Sequence, residues 1–370
     1  MDNNQKAFFE LLRAGLWSDG NPDVRIDGPT DWYEVYRLAT EQSVLGLILA
    51  GLEHSELKPP KVLLLQWIGE VQVIEQRNKA MNSFLAGLIE DLKSEGINCA
   101  LVKGQGIAQC YVRPFWRASG DIDLLFDEEN YFKTSAYLPT KADQMKENRL
   151  DIKHFEMSFG TWIVELHGTL HGEWSKRADR VVDDILEETF NKKHFRTWDN
   201  NSTEILLPAH DNDLVFVFSH ILQHFFWEGI GLRQICDWCR LLWTYKESID
   251  IRLLEQRLDS MGVMTEWKAF AALAVDYLGI PQEAMPFYVS APKYTCKAHR
   301  IISQVLESGS FGHNKDNSYK DKYSFVIRLF ISFWRHIKDL YKQFRIFPLD
   351  TMRAAARMIK QGFAFALKGE

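Results

Sequence analysis

The sequence predicts an α+β fold in which a small sheet-bearing unit, at about residues 76–200, sits between an N-terminal helical region (1–75) and a C-terminal helical region (201–370). Three observations predict it. Apolar residues recur at three- and four-residue spacing over both ends of the chain. Short apolar runs bounded by glycine or charge interrupt that pattern in the middle. Two alternating runs there, 151–159 and 161–166, are separated only by Gly160, which is a hairpin signal.

Taken in order, Val35, Leu38, Ala39 and 45–49 form a helical apolar stripe. Pro59-Pro60 breaks it before a second helix through Leu63, Ile68 and Val71. A helix over 78–95 stops at Gly96, and Ile97 to Val102 suits a buried strand. Lys103-Gly104-Gln105-Gly106 is a glycine turn, 107–112 a short helix, 114–120 a loop, 121–126 a second strand and 128–137 a helix. After residue 200 the pattern gives helices over 210–226, 233–245, 251–261 and 264–278. An exposed loop over 308–322 and a long amphipathic helix over 323–347 follow.

The composition excludes several classes. Hydrophobic residues make up 46% of the 370 and charged residues 25%, a globular balance that rules out a disordered or fibrous chain. Five irregularly spaced cysteines make no disulfide framework, so a reducing cytoplasm is expected. Residues 1–20 have no basic segment ahead of an apolar run, so no signal peptide is expected. No uninterrupted apolar stretch is long enough to suggest a transmembrane segment. The net charge of −6 hides an asymmetry: residues 291–370 are basic and 1–290 acidic.

The sharpest chemical feature is Asp121-Ile122-Asp123 opening an apolar run. Side chains alternate along a strand, so the two carboxylates share a face. Two acids there either sit in the turn before the strand or ask for a hard cation such as Mg²⁺ or Mn²⁺. Upstream, the Gly104 turn follows a strand and opens a helix, a setting in which backbone N–H groups cradle phosphate. Downstream, Ile163, Glu165 and His167 share one strand face, and Glu165 becomes a third carboxylate if that strand lies beside 121–126. Glu156 on the preceding strand is the reserve. Three acids and a phosphate turn are the minimal kit for two-metal nucleotidyl transfer.

Leu101-Val102-Lys103-Gly104, then Arg117 to Leu125 (RASGDIDLL), then Glu165-Leu166-His167 resemble the DNA polymerase β-like nucleotidyltransferase superfamily. The pattern is most similar to a largely uncharacterised bacterial nucleotidyltransferase family, to which Gly231 to Trp238 (GLRQICDW), preceded by His220 and His224, also has resemblance. The resemblance implies a mixed-sheet core that uses a nucleoside triphosphate such as ATP, with Mg²⁺ or Mn²⁺. Asp121 and Asp123 would hold one metal on the β- and γ-phosphates, and with Glu165 a second at the acceptor hydroxyl. Lys103, Gly104, Gln105, Arg117 and Gly120 would contact nucleotide or phosphate. His167, His220, His224, Arg233 and Asp237 would border the cleft. The acceptor stays open between small molecule, RNA and protein. The chain departs from the family where Gly104 is followed by Gln105 and not Ser or Gly, and where the third acid is Glu.

Other readings stand beside these. Lys103 either stabilises phosphate or covers a strand end, and Arg117 either clamps phosphate or pairs with a structural carboxylate. His220 and His224 lack the Glu of an HExxH pair, which favours an interface role over zinc. Arg233 and Asp237, four apart, suit a helical ion pair. Arg328, Arg335, Lys338, Lys342 and Arg345 form one basic helix face, suited to an anionic acceptor, a membrane surface or solvent. The Lys-Gly and Arg-x-Ser-x-Asp-Ile-Asp segments also resemble abortive-infection toxin nucleotidyltransferases, and a non-catalytic nucleotide-binding module is the alternative outside enzymes.

Overall fold

A computed structural model describes residues 1–20, 24–172, 174–227, 229–309 and 325–357. The N-terminal region comprises α1 (Asn3–Leu16), α2 (Trp32–Glu41) and α3 (Leu45–Glu53). Asp2 and Asp31 cap the first two, their carboxylates accepting from the backbone N–H of Gln5 and of Tyr33 and Glu34. The two helices expected on either side of residue 75 are one: α4 runs 34 residues, Lys61–Ser94, from behind Pro59-Pro60 to Gly96, whose φ of +68° favours a residue without a side chain.

The sheet follows. Strands β1 (Ala100–Val102), β2 (Ile122–Leu125), β3 (Gln144–Met145), β4 (His154–Phe159) and β5 (Trp162–His167) lie in the order β1-β2-β5-β4-β3. The β2–β5 pair is parallel and the others antiparallel, so the sheet is mixed as expected. Helix α5 (Gly104–Ala108) leaves β1, α6 (Glu128–Tyr137) leaves β2, and β4 and β5 form the expected hairpin, turning at Gly160 with φ +59°.

Alternation gives the sheet two faces. Leu101, Ile122, Leu124, Val164 and Leu166 pack against Met81, Leu85, Leu88 and Leu92 of α4. Val102, Asp123, Leu125, Glu165 and His167 point the other way, toward the C-terminal helices.

A helix over Pro292–Ser308 and the short β3 escaped the sequence pattern, and so did a helix and a hairpin after β5. Helix α7 (Lys176–Asn191) is capped by Ser175, and β6 (Phe195–Asn200) and β7 (Thr203–Pro208) form a separate hairpin beside β1. That hairpin turns at Asn201 and Ser202, both at positive φ, and runs across residue 200, where the sequence placed the end of the core.

Helices α8 (His210–Trp227), α9 (Leu232–Tyr245), α10 (Ile251–Met261) and α11 (Met264–Asp276) form where the spacing predicts them. Helices α12 (Pro292–Ser308) and α13 (Phe325–Phe344) follow. The helical regions share one core, which joins Phe8 and Leu11 to Phe218, Trp238 and Trp267 and reaches Ala354. The expected loop over 308–322 lies mostly outside the described residues, as does the side chain of Arg328. On α13 the basic face is partly engaged, Lys342 pairing with Glu307 at 2.6 Å. Among the described residues no helix is long and apolar enough to cross a membrane.

Candidate active site

The sheet register builds the site. Strand β2 lies parallel to β5 with Asp123 opposite Glu165, so two carboxylates 42 positions apart stand side by side on the front face. Asp121 joins them by alternation, and one oxygen from each of the three lies within 4.8 Å of the others. The strand on which Glu165 sits therefore lies beside 121–126, the placement its reading as a third carboxylate requires. Glu156, the reserve, is the cross-strand partner of Glu165 but forms an ion pair with Lys146 at 2.7 Å.

Lys103 follows β1 and reaches into the cluster, its Nζ 2.6 Å from Asp123 Oδ1. Its backbone, at φ 56° and ψ −145°, lies in a region that non-glycine residues rarely occupy. Gly104 follows at φ +39°, with its Cα hydrogen facing the carbonyl of Asp121. On the other side, His167 Nε2 lies 2.9 Å from Asp123 Oδ1 and 3.5 Å from Glu165 Oε2. His154, cross-strand partner of His167, brings Nε2 to 3.2 Å from Glu165 Oε2.

The charges shift one another. The Asp123 carboxylate beside Asp121, together with burial, pushes the Asp121 carboxyl above its ordinary value. Burial opposes ionisation of Asp123 and Glu165 most strongly, but Lys103 and His167 for the first, and His154 and His167 for the second, outweigh it and hold both low. Burial is also the largest influence on Lys103 and His167, favouring their neutral forms. The surrounding carboxylates reverse that and raise both.

These residues line a cleft of about 560 Å³ between the sheet and α8–α9. His220 and His224 lie on its wall with their Nε2 atoms 3.0 Å apart. Burial, then the neighbouring Lys103, drives His220 strongly toward its neutral form. Neither belongs to the groups of three or more ligating side chains found among the described residues, which are Asp121-Asp123-Glu165 and His154-Glu165-His167.

Three expected contacts are placed otherwise. Arg117, read either as a phosphate clamp or as the partner of a structural carboxylate, is 6% exposed and gives its fork to Asp237, with Nε to Oδ1 and Nη2 to Oδ2 both 2.7 Å. Its Nη1 donates to the Ser119 hydroxyl at 3.0 Å. The α9 pair expected between Arg233 and Asp237 is correspondingly opened: Asp237 accepts from Arg117 and from the Tyr111 hydroxyl at 2.7 Å, and Arg233 donates to the Ala118 carbonyl at 2.8 Å. Gln105 turns its side chain into the core, where Nε2 donates to Asn78 Oδ1 at 3.0 Å, leaving only its backbone near the turn. Asn78 in turn donates to the Arg117 carbonyl, so Gln105 and Arg117 brace the segment that presents Gly120 and Asp121.

Sequence reasoning missed His154, Arg149, Thr169, His171 and Trp227, all on the cleft wall. For His154 a signal existed: it stands two before Glu156 on a strand already read as alternating, hence on the same face.

The donors at Asp121, Asp123 and Glu165 are all carboxylate oxygens, which hard divalent cations prefer. The like-charge strain on Asp121 is what such a cation would relieve, so the residues fit one. No curated protein and no solved structure matches the chain. The sequence model of a family described as uncharacterised nucleotidyltransferase does match, over residues 28–279, a span that contains the whole acid cluster, the Lys103–Gly104 turn and the α8–α9 wall. That match takes in more than half of the chain, which thus belongs to this nucleotidyltransferase family.

Proposed function

We propose that the protein transfers a nucleoside monophosphate from a nucleoside triphosphate to an acceptor hydroxyl, on a core of the DNA polymerase β type. The observation that carries this is the in-register pair Asp123 and Glu165, joined by Asp121, facing the Lys103–Gly104 turn across one cleft. Asp121 and Asp123 would hold one divalent cation, Mg²⁺ or Mn²⁺, and with Glu165 a second. Bound there, such cations neutralise phosphate charge and acidify the acceptor hydroxyl.

Lys103 and the backbone N–H groups of Gly104 and Gln105 hold the phosphates. Arg117 acts behind them, fixing the 118–120 segment through Asp237 and Ser119. The hydroxyl oxygen bonds to the α-phosphorus as the α–β phosphoanhydride bond breaks, pyrophosphate leaves and the hydroxyl proton passes to solvent. The sheet unit carries this chemistry and extends to Pro208 through the second hairpin, and the helical regions on either side frame the cleft. Five free cysteines, four of them buried, fit a reducing cytoplasm.

The test is to incubate the chain and Mg²⁺ with each α-labelled nucleoside triphosphate and a cell lysate. Pyrophosphate release and a labelled acceptor are expected, both lost in Asp121→Ala. Nucleotide binding by calorimetry without pyrophosphate release from any of the four would overturn the proposal in favour of a binding module. Growth arrest on expression, abolished by the same substitution, would place the transfer in a toxin.

A further inference from the structure

We infer that the cleft contains, beside the carboxylate positions proposed above, a further metal position of a different chemical kind, in which the imidazoles of His154 and His167 join the Glu165 carboxylate to bind a borderline transition ion such as Mn²⁺, Co²⁺ or Zn²⁺. The inference rests on the proposed use of Glu165 as a metal ligand but reaches beyond it, because two of the three donors are nitrogen. Imidazole suits these ions far better than it suits Mg²⁺.

The positions are built by the sheet. His154 and His167 are cross-strand partners in the β4–β5 hairpin, and Glu165 stands two residues before His167 on the same face. Their ring centroids lie 5.1 Å apart. One donor atom from each of the three lies within 4.8 Å of the others, and all three side chains line the cleft. Glu165 Oε2 is 3.2 Å from His154 Nε2 and 3.5 Å from His167 Nε2.

These separations are informative. A neutral hydrogen bond between nitrogen and oxygen centres on about 2.9–3.0 Å, and a charge-assisted one is shorter still. Ligands each about 2.0–2.1 Å from one tetrahedral ion are about 3.3–3.4 Å apart along an edge. Both distances to Glu165 are thus long for a tight ion pair and close to that edge. Glu165 also belongs to the all-oxygen group with Asp121 and Asp123, so its carboxylate is the one ligand common to both positions. A site whose oxygen-only positions and one nitrogen-bearing position are joined through Glu165 separates labile Mg²⁺ that travels with the nucleotide from a resident ion that stays on the protein.

The experiment uses the full chain with metal alone and no nucleotide. Stoichiometric Mn²⁺ is added, and electron spin echo modulation reads directly bound ¹⁴N; Co²⁺ uptake is followed in parallel by its visible absorption. Nitrogen couplings from imidazole are expected in the wild type. In His154→Gln they are reduced, with at least a tenfold loss of Co²⁺ affinity. In His154→Glu binding returns with a weaker nitrogen signal. Absence of ¹⁴N modulation in the wild type, or a Co²⁺ affinity and spectrum unchanged in both variants, overturns the inference. Circular dichroism of each variant separates lost binding from lost fold. Mg²⁺-supported pyrophosphate release reads the nucleotidyl-transfer proposal separately, so either can fail while the other stands.

Discussion

Two charged clusters line the same cleft at the two ends of the 118–120 segment, a rear one at Arg117 and a front one at Asp121, and they handle the same problem differently. At the rear, Asp237 is held by Arg117 and Tyr111, every carboxylate oxygen answered by a donor at 2.7 Å. In front, Asp121, Asp123 and Glu165 crowd around a single ammonium, that of Lys103, with two histidines at the margin. The rear cluster is electrostatically complete and holds the loop in place. The front cluster carries surplus negative charge and is open to the cleft, which is the arrangement a functional site needs and a scaffold avoids. A third solution appears in the helical body. Glu266 on α11 is buried next to Asp350 in the helical stretch 348–357. Burial, then Asp350, pushes its carboxyl up to about 8, so a proton does there what a guanidinium does behind the loop.

The comparison can be broken most forcefully at the front. Asp121→Asn should lower nucleotidyl transfer by about 1000-fold or more, equivalent to about 4 kcal/mol, while the thermal midpoint falls little because the like-charge contact that pushes its carboxyl up is relieved. A turnover assay alongside calorimetry checks this, and a variant that unfolds with its activity would merge the two clusters into one structural role.

At the rear the effect moves from turnover to stability. Asp237→Ala leaves Arg117 buried without its partner and should cost about 3–5 kcal/mol in urea unfolding. Replacing both, as Arg117→Met with Asp237→Leu, should recover most of that loss. Equal losses in the single and double variants would contradict the picture of a closed pair.

The smallest effect belongs to the helical body and depends on pH. A carboxyl whose folded pKa lies above its unfolded value binds its proton more tightly when folded. Its contribution is therefore complete at low pH and is lost as pH rises from the ordinary glutamate range to about 8. Glu266→Gln should accordingly raise stability by about 1–3 kcal/mol at pH 8 and change it little at pH 5. Thermal unfolding at the two pH values decides it, and an equal shift at both would remove the proton from the account.

What the sequence reveals of this follows from range. Asp121 and Asp123 are legible because the strand period alone puts them on one face. Glu165 is legible once its strand is placed beside theirs, a step that local pattern leaves conditional. Arg117 is not: its partner is 120 residues away, and the local pattern offers Arg233 to Asp237 instead. Gln105 follows a phosphate-type turn, yet a helix begins at Gly104, and its side chain turns onto Asn78 in a way that depends on the packing of α5 against α4. The second hairpin is hidden because Asn201-Ser202 carries out a turn usually signalled by glycine.

Lys103 carries one more implication, for lineages and not for single molecules. Its backbone would be at ease only with glycine, and the strain is tolerated while the ammonium has carboxylates to meet. Once chemistry is no longer under selection, both halves of that bargain lapse together. A descendant carrying glycine at 103 and a neutral residue at 123 would be relaxed in conformation and balanced in charge, and that paired change is the mark by which an inactive member of the family could be recognised from its sequence.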